Sequence, residues 1–176
     1  TQDSILFRYV FASEEYHNFV CSPFNDVFGF FLTGPALNGN IQTTNLATIP
    51  GGTLPVSINS VNAGSEGNHF SVLPEFCEGD LGSLENDDFF VSTSGFPVYN
   101  GYTTVFEARA LVQPCQVYTM ELVIADIGDA LFDSAIFFEA NSFCSFGNDA
   151  LISSNINEDS PILMEGCVQE SLVFDL

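Results

Sequence analysis

Apolar and polar positions alternate in short runs along this chain, and no segment keeps a helical period over eleven or more residues. That pattern predicts an all-β protein. Residues 5–12 place Phe7, Tyr9 and Phe11 on one face, with Leu6 and Val10 sharing the other with Arg8. A run apolar on both faces predicts a central strand. Residues 27–33, 54–61, 88–92 and 103–112 are further strand candidates, bounded by Gly, Pro and Asn clusters. Residues 116–125 alternate most regularly, with Tyr118, Met120, Leu122 and Ile124 against Val117, Thr119, Glu121 and Val123. An acidic turn follows, and then an apolar strand at 135–138, whereas 34–45 and 64–87 read as long irregular loops. Many short strands in one domain predict a two-sheet antiparallel β-sandwich, jelly-roll-like in kind. No internal period of the length found in solenoids or propellers is present.

Composition narrows the function. The chain has 176 residues, 46% of them apolar, with 19 Phe and no Trp, which is enough for one domain with a full core. Against 23 Asp plus Glu stand two cations, Arg8 and Arg109, and no lysine, for a formal charge of -21. Nucleic acid and anionic membranes would repel such a chain. The absence of lysine excludes Schiff-base chemistry and a phosphate-loop lysine. No apolar run approaches the roughly 20 residues of a membrane helix, so direct membrane insertion is not expected. The carboxylate surplus has two readings, hard-cation binding or a soluble acidic surface.

The five cysteines, Cys21, Cys77, Cys115, Cys144 and Cys167, are widely spaced and contain no C-x-x-C pair, which argues against structural zinc. In an acidic, Phe-rich chain they point to an extracellular setting with disulfides, against the alternative of buried free thiols. Cys21, Cys77, Cys115 and Cys144 are the disulfide candidates. Cys167 is the natural remainder of the odd count, because it follows a linker-like stretch at 157–161. The start at Thr1-Gln2-Asp3 fits either removal of a signal peptide or excision from a longer protein. Residues 1–158 therefore form the expected sandwich. Residues 159–176 are read as a linker with the first strand of a following module, or as a C-terminal strand.

Two acidic constellations carry candidate chemistry. The first is Glu14 and Glu15 after the central strand, with Asn25 and Asp26 before the next. Adjacent glutamates in extended chain face opposite ways, so they are not one clamp. The second is Asp126, Asp129 and Asp133, set around Gly128 in a loop that turns back on itself. Flanking Phe11, Phe24, Phe28 and Phe132 would make this density of carboxylate costly without a cation. Turn capping by the same side chains is the competing account. A third cluster, Glu75, Glu78, Asp80, Glu85, Asp87 and Asp88, reads as a solvated loop. No Ser lies in G-x-S-x-G, and the carboxylate pairs are unspecific in so acidic a chain, so no catalytic residues are assigned and no enzyme is expected. His17 and His69 read as polar loop residues. Phe19, Tyr99 and Tyr102 are either contact residues or covers for a core edge.

Several long motifs, in order, resemble the choice-of-anchor L domain: Phe7-Arg-Tyr-Val-Phe-Ala-Ser-Glu-Glu-Tyr16, Asn18-Phe-Val-Cys-Ser22, Phe24-Asn-Asp-Val-Phe-Gly-Phe-Phe-Leu-Thr-Gly34, Pro55-Val-Ser-Ile-Asn-Ser-Val-Asn62, Ile124-Ala-Asp-Ile-Gly-Asp129 and Asp133-Ser-Ala-Ile-Phe-Phe-Glu-Ala140. The likeness runs from about residue 4 to residue 144. It implies a secreted or cell-surface bacterial module, often within long proteins exported by type IX secretion, with adhesin-like roles. Likeness to the acidic loops of other extracellular jelly-roll modules implies structural Ca2+. Its ligands would be Glu14, Asp26, Asp129 and Asp133 first, then Glu15, Asn25 and Asp126. The expected function is a non-enzymatic, calcium-stabilised extracellular module acting in adhesion or ligand binding, with a surface glycan or protein as ligand and other domains of the same polypeptide as neighbours. The alternative is a structural spacer in a large surface protein, and a carbohydrate-active enzyme is the remaining reading.

Overall fold

The computed structural model describes residues 3–93, 98–140, 142–146, 151–154 and 170–175. Its strands in chain order are β1 (Asp3–Ser13), β2 (Val27–Pro35), β3 (Ile41–Asn45), β4 (Val56–Ser57), β5 (Phe90–Ser92), β6 (Gly101–Thr103), β7 (Phe106–Val112), β8 (Val117–Ala125), β9 (Ser134–Phe138), β10 (Cys144–Phe146), β11 (Leu151–Ser154) and β12 (Glu170–Asp175). Every pairing among them is antiparallel. The strands form two sheets packed together, as the alternation predicts. These pairings establish the sandwich, and do not by themselves establish the jelly-roll order expected with it.

In the first sheet β1 is central. β7 and then β6 pair along one side of it, and β10 and then β9 along the other. In the second sheet the order is β11-β12-β8-β2-β3, with β4 also on β2. The tail strand β12 thus pairs with β8 and β11. The linker at 157–161 and Cys167 lie outside the described residues.

The core is the meeting of the two aromatic faces. Phe7, Tyr9 and Phe11 of β1 are buried, as are Phe28, Phe30 and Leu32 of β2 and Tyr118, Met120 and Leu122 of β8. Across the sheets Phe7 lies 4.3 Å from Phe30 and Tyr9 lies 5.2 Å from Phe28, ring centre to ring centre. These tilted contacts suit the aromatic quadrupole.

Four local expectations are corrected. Residues 54–61 form only the short β4, because Ser57 to Val61 closes on itself. The N–H groups of Ser60 and Val61 donate to the Ser57 carbonyl, and Ser60 Oγ donates to the Pro55 carbonyl. Buried Val56 and Ile58 mimic strand alternation there, and the pattern breaks at Ser60. Residues 34–45 are a hairpin rather than an irregular loop, turning at 36–40 where Gly39 has a positive φ. Four of the five β3 residues are exposed, so no apolar pattern marks it. Residues 103–112 divide into β6 and β7, and a 3-10 turn at Asp87–Phe89 precedes the short β5.

Candidate functional site

Every carboxylate singled out in the two acidic constellations lies at one end of the sandwich. The end of β1 pairs with the start of β9 at Ser13 and Ser134, and the start of β2 pairs with the end of β8 at Val27 and Ala125. Backbone bonds then tie the loops together. Glu14 N–H donates to the Asp133 carbonyl at 3.0 Å, and Asn25 N–H donates to the Ile127 carbonyl at 3.1 Å.

The two glutamates face different ways, as expected, but they do so in the bend that follows β1 and not in extended chain. Glu14 stays partly exposed, and its Oε2 accepts the Asp133 N–H at 3.1 Å. Glu15 turns inward to 1% exposure, and its Oε2 accepts the Asp26 N–H at 3.3 Å. Asp26 is fully buried, and its Oδ2 accepts the Ser134 hydroxyl at 2.6 Å. Asn25 Oδ1 accepts the Asn59 N–H at 2.9 Å, and Asp129 Oδ1 accepts the Leu131 N–H at 2.9 Å. Asp133 contributes its backbone to the clasp with Glu14, and its side chain is on the exposed side. Asp126 Oδ1 is shielded from solvent and has no hydrogen-bond partner among the described residues.

Burial, and next to it the charge of Asp26, pushes the Glu15 carboxyl up to about 8, with Asp126 and Asp129 adding to the rise and the Asp26 N–H opposing it. Asp126 is raised as well, first by its own loss of hydration and then by Asp129 and Asp133. Tyr16, next to Glu15, is buried, and its hydroxyl has no partner among the described residues.

Among the described residues no three Asp, Glu, His or Cys side chains gather into a group that could hold a metal ion. As arranged, five of the seven expected ligands accept hydrogen bonds from the chain's own donors. This is capping geometry. These acids therefore accept bonds that lock strand ends.

An aromatic group sits against the acidic loop. Phe19 contacts Phe132 at 5.4 Å and His69 at 4.6 Å, and His69 contacts Phe70 at 4.2 Å. Phe24 joins through Phe19 and His69, and its ring edge is 2.8 Å from where a Cβ on Gly128 would lie. Phe19 itself is buried, so it covers a core edge. Phe70 is 93% exposed and Phe132 47%, and Leu131 and Ile127 are exposed in the acidic loop that carries Phe132. Phe132 has φ +71°, a conformation a bulky side chain rarely takes. His17, Cys21 and Phe132, three of the four non-glycine residues with positive φ among the described residues, lie at this end. Sequence reasoning missed Phe70, Leu131 and Ile127 as surface groups. Nothing in an irregular loop tells which of its apolar side chains turns outward.

The remaining candidates scatter. His17 Nε2 lies 3.3 Å from Ser92 Oγ, and His69 Nδ1 lies 2.7 Å from Ser71 Oγ. Tyr99 packs on Phe137 at 6.0 Å. Tyr102 is half-buried on β6. The acids of the third cluster lie in the loop between β4 and β5, and Glu75, Glu78, Asp80, Glu85, Asp87 and Asp88 are all exposed. Cys21 and Cys77 form a disulfide, whereas Cys115 is an exposed free thiol. The side chains of Cys144 and Cys167 lie outside what is described. One cleft of about 490 Å³ lies between the β2–β3 hairpin and β7, and another of about 620 Å³ lies beside β2 and the 48–55 loop. Neither is lined by Glu15 or Asp26.

Two antiparallel sheets around an aromatic core, with a disulfide pinning a surface loop, define a β-sandwich module of the kind found on surface and secreted proteins. Residues 1–144 match the Choice-of-anchor L domain, and the chain belongs to that family. Membership implies a cell-surface anchored protein module. No curated protein and no solved structure matches the chain.

Proposed function

We propose that this domain is a non-enzymatic binding module of a bacterial surface or secreted protein, and that it takes its ligand at the aromatic rim of the acidic end. The observation that carries the reading is the aromatic layer that ends in exposed Phe70 and Phe132, with Leu131 and Ile127 exposed in the same acidic loop as Phe132. An exposed apolar group supported by a packed aromatic layer marks an interaction surface, whereas a spacer would be expected to present charge uniformly. The left-handed backbone at Phe132 supports it further, since such strain gathers where function holds a side chain in place. Sealing of Glu15 and Asp26 away from solvent supports a non-enzymatic role. The buried pair Glu15 and Asp26, whose Glu15 carboxyl is pushed up to about 8, lines neither of the two clefts described above.

The test is retention of the purified domain on immobilised surface polymers, neutral and acidic polysaccharides and basic and neutral polypeptides, for wild type against Phe70→Ala with Phe132→Asn. Asn is chosen because it tolerates positive φ. Retention that the double substitution removes is the expected result. No retention on any polymer, or equal retention by both proteins, would return the domain to the spacer reading.

A second reading, favoured by the shielded and unpartnered Asp126 Oδ1, has a calcium ion bind in this loop as a structural ion. Thermal unfolding of chelator-treated protein with and without millimolar calcium tests it, with metal analysis of the same sample. A calcium-dependent rise in midpoint that Asp126→Asn abolishes supports the ion. An unchanged midpoint in a metal-free sample leaves capping as the whole role of these acids.

A further inference from the structure

The rim's chemistry goes further than its exposure. We propose that its ligand is a polypeptide segment bearing arginine or lysine side chains, held by cation–π contact with the Phe rings and by the surrounding carboxylates. This rests on the binding reading above and names the class of partner.

The first argument is charge. The loop that presents Phe132 also carries Asp126, Asp129 and Asp133, and Glu14 is hydrogen-bonded to it. No described cation compensates them. Arg8 lies mid-strand on β1 and is held by Glu107 at 3.6 Å and Glu139 at 3.3 Å. Arg109 pairs in register with Leu6, nearer the opposite end of β1. A formal charge of -21 adds a long-range pull on any cation and a barrier to any anion.

The second argument is the surface between the charges. A bare cation needs only oxygens, but this surface offers rings. Phe132, Phe19, His69 and Phe70 follow one another at centroid spacings of 5.4, 4.6 and 4.2 Å, and the two end members are exposed. An exposed ring face attracts a guanidinium or ammonium within about 6 Å of its centre, more strongly where carboxylates flank it. The exposed rings stand at the two ends of that layer, each open to a basic side chain whose aliphatic stem can lie on apolar surface. A neutral glycan would use the rings and gain nothing from the charge.

The experiment uses the whole chain. A fluorescently labelled peptide alternating arginine with leucine is titrated at low and at roughly physiological salt, beside the same peptide with citrulline for arginine and a set of neutral oligosaccharides. We expect the citrulline peptide to bind about tenfold more weakly and Phe70→Ala to cost about two- to fivefold, matching the loss of one exposed cation–π contact. Asp129→Asn with Asp133→Asn is expected to weaken the arginine peptide and reduce its salt dependence. Phe70 is almost wholly exposed, so its substitution tests the rim without risk to the core. Equal binding of arginine and citrulline peptides, or arginine-peptide binding indifferent to Phe70, overturns the proposal. Neutral oligosaccharides bound in a Phe70-dependent way, with no preference for arginine, would sustain the rim as a binding surface and reject its cationic partner. No Phe70-dependent binding of any probe would reject both.

Discussion

Ser134 donates its hydroxyl hydrogen to Asp26 Oδ2 at 2.6 Å, and that bond joins the first residue of β9 in one sheet to the residue before β2 in the other. Both residues are buried, so the link between sheets is made away from water. Removing the donor leaves a buried carboxylate less well satisfied. Ser134→Ala should cost about 1–3 kcal/mol in urea unfolding, and an unchanged midpoint would show that Asp26 does not depend on this hydroxyl.

Glu15 makes the fold sensitive to pH in an unusual direction for a carboxylate. Its folded pKa of about 8 lies above the ordinary 4.5, so between those values the native state holds more protons than the unfolded chain. The stability it contributes is full below pH 4.5 and is lost as pH rises through about 8. The thermal midpoint should therefore fall between pH 5 and pH 8. Glu15→Gln, which keeps an oxygen for the Asp26 N–H, should flatten that slope and raise the midpoint at pH 8. A slope unchanged by this substitution would assign the dependence to other groups.

The disulfide spans 56 residues and ties the loop after β1 to the 3-10 turn at Pro74–Cys77. Closing a loop of that length should be worth about 4 kcal/mol through the unfolded chain. Cys21→Ser with Cys77→Ser should lower stability by that order, and non-reducing peptide mapping should recover the two cysteines linked. Recovery of Cys21 joined to another cysteine would contradict the pairing.

Gly34 has no room for a side chain. A Cβ there would stand 2.3 Å from the Tyr118 ring, whose hydroxyl is fixed by donating to the Pro35 carbonyl and accepting the Gln113 N–H. The ring cannot swing away without breaking both bonds. Gly34→Ala should destabilise by about 1–3 kcal/mol, whereas Gly52→Ala, with nothing nearer than 3.7 Å and no positive φ, should be close to neutral.

Arg8 bridges Glu107 and Glu139 on an exposed face, with roughly half of each side chain in water. Surface ion pairs of this kind are worth little. Arg8→Gln should shift the thermal midpoint by no more than a degree or two, and a larger loss would mean that the three-residue network acts as a unit.

The sequence by itself determined the sheet class, the central strand and the aromatic core, because a strand's side chains alternate with period two and burial is written into that alternation. Alternation sets Phe7, Tyr9 and Phe11 on one face of β1 and Tyr118, Met120 and Leu122 on one face of β8, and the structure turns both of those faces inward. The separation of Glu14 from Glu15 agrees with the expectation for extended chain, although a bend after Ser13 produces it. Where the pattern is absent or imitated, only the tertiary structure decided. The exposed β3 carries no alternation, and Val56 and Ile58 are apolar at strand-like spacing while the backbone from Ser57 to Val61 turns. Pairing of Cys21 with Cys77 depends on where two loops end in space. The sequence places the carboxylates in loops at strand ends, but not their partners. Five of the seven are hydrogen-bonded to donors in loops or strands, and three of those donors, Asn59, Asp133 and Ser134, lie far along the chain. The aromatic rim is the clearest case, since Phe19 and Phe70 lie in the same kind of polar loop and only packing against Phe24, His69 and Phe132 turns one inward and leaves the other in water.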